Sequence, residues 1–188
     1  MLHLEDLKDK KILIIGLART GVALAKFLVR HNADVTISDH KSKAELSSYL
    51  EQIQGLDLKL ELGGHTPKSF LTKDIIVLSP GVPPHLKIFD YARSHGVKVT
   101  GEFEFVSQFL SEPIISITGT NGKTSTAHLI NLFLQESGVK TWLGGNYGAP
   151  LSEYVISGER ADVIVAETSS FMLEHVETFN PKNIVFTN

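Results

Sequence analysis

The residues best suited to chemistry stand in one short tract: Gly119, Thr120, Asn121 and Gly122, then Lys123, Thr124 and Ser125. Glycines in such a turn let successive backbone N–H groups converge on one concavity. A helix starting there adds the positive end of its dipole. A phosphate, with several charged oxygens, suits that environment. Lys123 is spaced to reach terminal phosphates, and the Thr124 hydroxyl to ligate Mg²⁺. The general phosphate-loop pattern is matched incompletely, because Ile117 stands five residues before Gly122 in place of glycine. A plain glycine turn between strand and helix is the alternative, and Gly-Lys-Thr in that position favours a nucleotide site.

Two carboxylates end apolar runs. Glu167 follows Ala161–Ala166; an acid on a neighbouring strand end of a phosphate-loop protein commonly holds Mg²⁺, directly or through water. A helix N-cap is the plainer use of that acid. Asp39 closes the run Ala33–Ser38 and follows an earlier glycine turn, Gly16-Leu17-Ala18-Arg19-Thr20-Gly21. Strand, glycine turn, helix, strand and terminal acid make a βαβ unit of the dinucleotide-binding type. Ala18 occupies the place of the second glycine of G-x-G-x-x-G, so a nicotinamide dinucleotide is disfavoured. A phosphate-bearing ligand at the helix N-terminus remains, with Asp39 accepting bonds from a sugar or base; a tight turn with a solvated Asp is the alternative. A third turn, Ser79 to Pro84, ends Asp74–Leu78 and is rigid with proline, either as a ligand turn or as a stiff corner.

The elements that must position these residues follow from periodicity. Continuous apolar runs at Lys11–Ile15, Ala33–Ser38, Asp74–Leu78, 114–117 and 161–167 read as buried parallel strands. Leu58–Leu62 alternates and reads as half-exposed; Val97–Thr100, Val139–Leu143 and Asn183–Thr187 complete the strands. After Gly21, Leu24, Phe27 and Leu28 share one helical face, away from Lys26 and Arg30. Further helices are expected over Lys43–Gln54, Lys87–His95 and Glu102–Leu110. The helix after Lys123 is expected to turn Leu129, Ile130, Phe133 and Leu134 inward. Gly144–Gly148 reads as a loop of small residues.

The fold class is therefore α/β: a Rossmann-like parallel-sheet domain at 1–100, then residues 101–188 as the front of a phosphate-loop α/β domain. With 42% hydrophobic residues the chain can bury a real core. Its 18 basic and 21 acidic residues contain no run of like charge, which argues against a nucleic-acid or membrane surface as the main partner. There is no cysteine, hence no disulfide or thiolate metal site. No stretch approaches the roughly 20 apolar residues of a membrane span, and a cytoplasmic protein is expected. Eight histidines show no metal-ligand spacing; His65 and His128 read as loop and surface residues.

With both glycine motifs and the acid in place, the chain resembles the Mur ligase family over its whole length. G-L-A-R-T-G at 16–21 resembles that family's uridine-diphosphate loop, and S-P-G-V at 79–82 its second ligand turn. G-T-N-G-K-T at 119–124 resembles its ATP loop, shared with folylpolyglutamate synthetases. E-T-S-S-F-M-L-E at 167–174 resembles the segment of the D-glutamate-adding branch. The resemblance implies that Arg19, Thr20, Asp39, Gly81 and Asn146 contact a UDP-sugar, with Ser169 near the reacting carboxylate. It implies ATP on residues 119–125, Lys123 on the β/γ-phosphates, and Mg²⁺ on Thr124 and Glu167. UDP-N-acetylmuramoyl-L-alanine and D-glutamate are then the substrates of a monomeric, ATP-dependent amide ligase acting in peptidoglycan precursor synthesis. Such an enzyme also needs groups further along, so the 188-residue chain by itself is expected to lack turnover. Met172 replaces a common Gln, and His40 and Lys41 stand at variable positions. A nicotinamide-dependent oxidoreductase and a non-catalytic nucleotide-sugar module are the alternatives.

Overall fold

A computed structural model describes residues 3–83 and 85–188; Pro84, the end of the third turn, lies outside them. The chain forms two parallel sheets. The first contains β1 (Lys11–Ile15), β2 (Asp34–Asp39), β3 (Lys59–Leu62), β4 (Ile75–Leu78) and β5 (Lys98–Gly101), in the order β3-β2-β1-β4-β5. The second contains β6 (Ile114–Thr118), β7 (Thr141–Gly145), β8 (Val163–Glu167) and β9 (Asn183–Phe186), ordered β7-β8-β6-β9. In each sheet the strand order reverses beside the first strand. Open α/β sheets bind ligands in the crevice outside the strands' carboxyl ends at such a reversal.

Helices α1 (Arg19–Arg30), α2 (Ser47–Gln52), α3 (Pro67–Leu71) and α4 (Lys87–Ser94) belong to the first sheet. Ile12, Leu13 and Ile14 are fully buried because helices cover both faces of β1, and Leu24, Phe27 and Leu28 of α1 close over one of them. The second sheet carries α6 (Lys123–Glu136), α7 (Leu151–Ser157) and α8 (Ser170–Leu173), while α5 (Glu102–Ser107), which follows β5, packs against β4 and β5 of the first sheet.

The two units pack through α1 against α7 and through buried acids on α5. Arg30 donates to the Ile156 carbonyl at 2.6 Å. Glu102 accepts the N–H and hydroxyl of Ser152 at 3.0 and 2.8 Å. Glu104 accepts the N–H groups of Glu177, Thr178 and Phe179 at 3.0–3.2 Å. Phe103, Phe105 and Val106 join the core that contains α1.

Several expectations change. Only Ser47–Gln52 is regular helix within 43–54, since Leu46 and Ile53 bury at its two ends. α5 is shorter than expected and stops at Ser107. On α6 the inward stripe is Ala127, Ile130 and Leu134, while Leu129 and Phe133 are 51% and 63% exposed. Apolar residues occupy most of that helix's circumference, so periodicity could not choose the face. Gly144 and Gly145 are strand, not loop. The helices α3, α7 and α8 escaped the sequence reading because they are short. Pro150 before α7 and Gly158 after it (φ +69°) were its readable punctuation.

Candidate functional site

The first glycine loop is fixed by buried side chains. β1 and β2 run in parallel register, Ile15 opposite Ser38, which brings Asp39 beside the loop. Asp39 is buried; its Oδ2 accepts the Leu17 N–H at 2.7 Å and its Oδ1 the Lys41 N–H at 2.9 Å. The Ser79 hydroxyl, from the turn after β4, donates to the Gly16 carbonyl at 2.9 Å. Helix α1 begins inside the motif: Ala18 caps it with φ −117°, a value that needs no glycine. Gly21 does need to be glycine, because a Cβ there would lie 2.2 Å from the Gly16 carbonyl oxygen.

The second loop joins β6 to α6. Gly122 caps α6 in the left-handed region at φ +80°. Lys123 folds over the loop and donates to the carbonyls of Gly119 and Thr120 at 2.7 and 3.1 Å. Thr120 and Asn121 direct their N–H groups to the Asn188 side-chain oxygen, 2.9 Å away in each case. The N–H groups that open α6 have no intrahelical partner, as at any helix start.

Glu167 joins this loop to the next one. It is only 3% exposed, and its Oε2 accepts the Thr124 hydroxyl at 2.6 Å. Its Oε1 accepts the Asn146 side-chain amide at 2.8 Å, and its backbone carbonyl the Asn146 N–H at 2.8 Å. Gly145 permits the approach, since a Cβ there would lie 2.3 Å from the Glu167 carbonyl oxygen.

The two loops open onto adjoining cavities. A cleft of about 500 Å³ has Arg19, Thr20 and Pro80 on one side and Gly145–Gly148 and Pro150 on the other. Tyr147 and Gly148 also wall a cavity of about 180 Å³ that contains Thr124, His128 and Glu167. A wider groove of about 830 Å³, between residues 107–114 and 178–182, lies at the amino ends of β6 and β9. No glycine loop faces it, and size alone does not mark a ligand site in a parallel sheet.

Comparison with known proteins gives the family. Residues 10–101 match the Mur ligase MurD-like N-terminal domain, and residues 117–188 match the Mur ligase middle domain. The chain belongs to the Mur ligase family. A UDP-N-acetylmuramoylalanine–D-glutamate ligase of Bdellovibrio bacteriovorus is 61% identical over 97% of this chain and 40% of its own length. Its namesake from Citrifermentans bemidjiense is 46% identical over the same shares. This Mur ligase chain thus spans about 40% of the length of those relatives. A murein peptide ligase structure from Psychrobacter arcticus shares the fold, with TM-score 0.56 and 21% identity over 95% of this chain and 43% of its own.

Within this Mur ligase fold, the expected residues fall into two groups. Arg19, Thr20 and Asn146 share the larger cleft; Thr124 and Glu167 share the smaller cavity, with Lys123 on the loop beside it. Thr124 and Glu167 offer hard oxygens, and Glu167 is buried with only neutral hydrogen-bond partners. That donor set fits Mg²⁺, which binds through one or two carboxylates plus phosphate oxygens. Gly81 is exposed at φ +89° in the turn that Ser79 anchors. Arg19 also pairs with Glu153 at 3.4 Å, both half-exposed. Asp39 holds the loop, each of its oxygens taking one backbone N–H group, and a carboxylate oxygen keeps a second acceptor site for a ligand. Ser169 caps α8, accepting the Met172 N–H at 3.3 Å.

Other residues at the site were read only as loop or surface positions, as His65 and His128 were, or not at all. His128, one helical turn after Thr124, lines the smaller cavity and meets the Tyr147 ring edge-on at 6.2 Å. The i, i+4 spacing from Thr124 was the available signal. His65 Nδ1 lies 2.8 Å from the buried Ser38 hydroxyl. Asn188 and Thr187 carried no motif. Among the described residues no helix is long and apolar enough to cross a membrane.

Proposed function

We propose that this chain is the UDP-sugar- and ATP-binding portion of a ligase that adds D-glutamate to UDP-N-acetylmuramoyl-L-alanine. The observation that carries this reading is the pair of adjoining cavities, one with Arg19, Thr20 and Asn146 and the other with Thr124 and Glu167, that share Tyr147 and Gly148 as walls. It suits a long substrate with a uridine diphosphate at one end and a reacting carboxylate at the other. The names of the relatives at 61% and 46% identity support the choice of amino acid.

In this reading, the loop 16–21, shaped by Asp39 and Ser79, receives the uridine diphosphate at the start of α1, with Arg19, Thr20 and Gly81 around it. Asn146 contacts the sugar, and Ser169 lies near the acyl end. Residues 119–125 hold ATP, and Lys123 leaves its own loop carbonyls for the β/γ-phosphates. Thr124 and Glu167 would hold Mg²⁺, which would supply positive charge where two anions must meet. The substrate carboxylate oxygen attacks the γ-phosphorus and ADP leaves, giving an acyl phosphate. The amine of D-glutamate then attacks the acyl carbon, loses a proton and expels inorganic phosphate. In this arrangement Lys123 neutralises part of that charge, and Glu167, as a metal ligand, contributes alignment. Residues 1–100 serve the UDP-sugar and 101–188 the nucleotide, in a cytoplasmic monomer that needs neither nucleic acid nor membrane.

Calorimetric titration with UDP-N-acetylmuramoyl-L-alanine, ATP–Mg²⁺ and NADH tests the proposal. Binding of the first two, with the uridine compound weakened in Asn146→Ala, is the expected result. NADH binding without the uridine compound would return the chain to the oxidoreductase reading.

A further inference from the structure

β9 pairs with β6 in parallel register, Phe186 opposite Thr118. The residues after β9 therefore arrive beside the loop that follows β6, and they grip it. The Thr187 N–H donates to the Thr118 carbonyl at 2.9 Å, and the Thr187 hydroxyl donates to the Asn121 carbonyl at 2.6 Å. The Asn188 side-chain oxygen accepts the N–H groups of Thr120 and Asn121 together. Gly119, at φ +132°, is shaped to this grip: a Cβ there would lie 2.2 Å from the Thr187 hydroxyl and 3.0 Å from the Asn188 nitrogen. Its glycine makes room for the clamp as well as for a ligand.

We propose that Asn188 is a positioning residue of the nucleotide site. It holds Thr120 and Asn121 so that the following N–H groups, at Gly122, Lys123 and Thr124, stand ready for phosphate. The proposal rests on reading 119–125 as an ATP loop. A tract with two positive-φ glycines has wide conformational freedom, and any ordering left until binding is subtracted from affinity. Converging N–H groups form an anion nest; filling half of it with a neutral amide oxygen fixes its shape without adding a negative charge beside the phosphates. An aspartate would accept the same two N–H groups but repel the ligand.

The test compares the chain with its Asn188→Ala and Asn188→Asp variants, each continued by a short Gly-Ser tail so that residue 188 carries a peptide group. ATP–Mg²⁺ and UDP-N-acetylmuramoyl-L-alanine are titrated by calorimetry, and amide exchange of Thr120 and Asn121 is followed by NMR without nucleotide. Both amides should be protected in the unmodified chain and lose protection in Asn188→Ala. ATP affinity should fall about tenfold in Asn188→Ala and further in Asn188→Asp, with the extra loss shrinking in salt. Affinity for the uridine compound should not move. Unchanged or tighter ATP binding by Asn188→Ala would make Asn188 a bystander or a competitor of phosphate, and would overturn the proposal. So would fast exchange of both amides in the unmodified chain. No ATP binding by the unmodified chain, with both amides protected, would overturn the nucleotide reading and the positioning role with it, leaving a purely structural clamp.

Discussion

The two glycine loops hold the same station, after the first strand of a parallel sheet, yet they are secured in different ways. The loop at 16–21 is fastened from beneath by the buried carboxylate of Asp39 and the buried hydroxyl of Ser79. Gly21 presses directly on the Gly16 carbonyl. The loop at 119–124 is held from its side by Thr187 and exposed Asn188, and by its own lysine. Hydrogen bonds reachable by water open locally at low cost, while those inside the core open only with the core. The first loop is a preformed cradle. The second is held at its rim, where Asn188 fixes the N–H groups of Thr120 and Asn121, and its movable part is the Lys123 side chain, whose ammonium rests on the carbonyls of Gly119 and Thr120.

Substituting one glycine in each loop tests that contrast most strongly. Gly21→Ala sets a methyl 2.2 Å from a backbone oxygen, which only a shift of α1 away from β1 can relieve. The expected loss is about 3 kcal/mol, seen as a fall of about 6–12 °C in Tm. Gly122→Ala meets nothing nearer than 4.0 Å and suffers only its positive φ, a cost of about 1 kcal/mol or about 2–4 °C. Equal falls by thermal denaturation would erase the distinction between core-held and rim-held loops.

The acid that ties the two units together responds to pH. Burial raises the Glu102 carboxyl above the usual carboxylate range, opposed by the Ser152 N–H and hydroxyl. A folded pKa above the unfolded one contributes stability that is complete below the unfolded value and is lost as pH rises through the folded value. Glu102→Gln keeps an oxygen for Ser152 and removes the titration. The variant's stability relative to the unmodified chain should therefore be greater at pH 8 than at pH 5 in denaturant unfolding. A difference that does not move with pH would mean the carboxyl does not titrate between those conditions.

The smallest effect on stability belongs to the half-exposed pair Arg19–Glu153, which crosses between the units at the cleft. Surface pairs contribute about 0–1 kcal/mol, so Arg19→Ala and Glu153→Ala should each move Tm by less than about 4 °C. Arg19→Ala should still weaken UDP-sugar binding by about tenfold, the scale of one charge-assisted hydrogen bond. A large loss of stability with unchanged ligand affinity would make Arg19 a strut between units.

Legibility followed range along the chain. The loops at 16–21 and 119–124 were readable because strand, glycine turn and helix lie within a few residues. The ends of β2 and β8 were readable as acids closing apolar runs. What those acids touch was not: Asp39 meets Leu17 through the β1–β2 register, and Glu167 meets Thr124 and Asn146 through strands that are neighbours only in space. The α6 face was misassigned because a helix apolar around most of its surface carries little phase information. Gly145 looked like a loop residue because the Glu167 carbonyl that demands a glycine there lies 22 positions away.

The sequence by itself determined the α/β class, the two glycine loops between strand and helix, and the types of group available: a lysine, a hydroxyl, two terminal acids and no thiol. Those are properties of local spacing and composition, and they hold wherever the chain goes. The tertiary structure decided which of these groups face one another. It turned Asp39 onto the loop N–H groups, set Glu167 between Thr124 and Asn146, opened the two loops onto adjoining cavities that share Tyr147 and Gly148, and brought Asn188 to the amides of Thr120 and Asn121. Parallel pairing ends neighbouring strands at the same level, so residues distant in sequence meet at one edge of each sheet, where backbone N–H groups and side chains are left without strand partners.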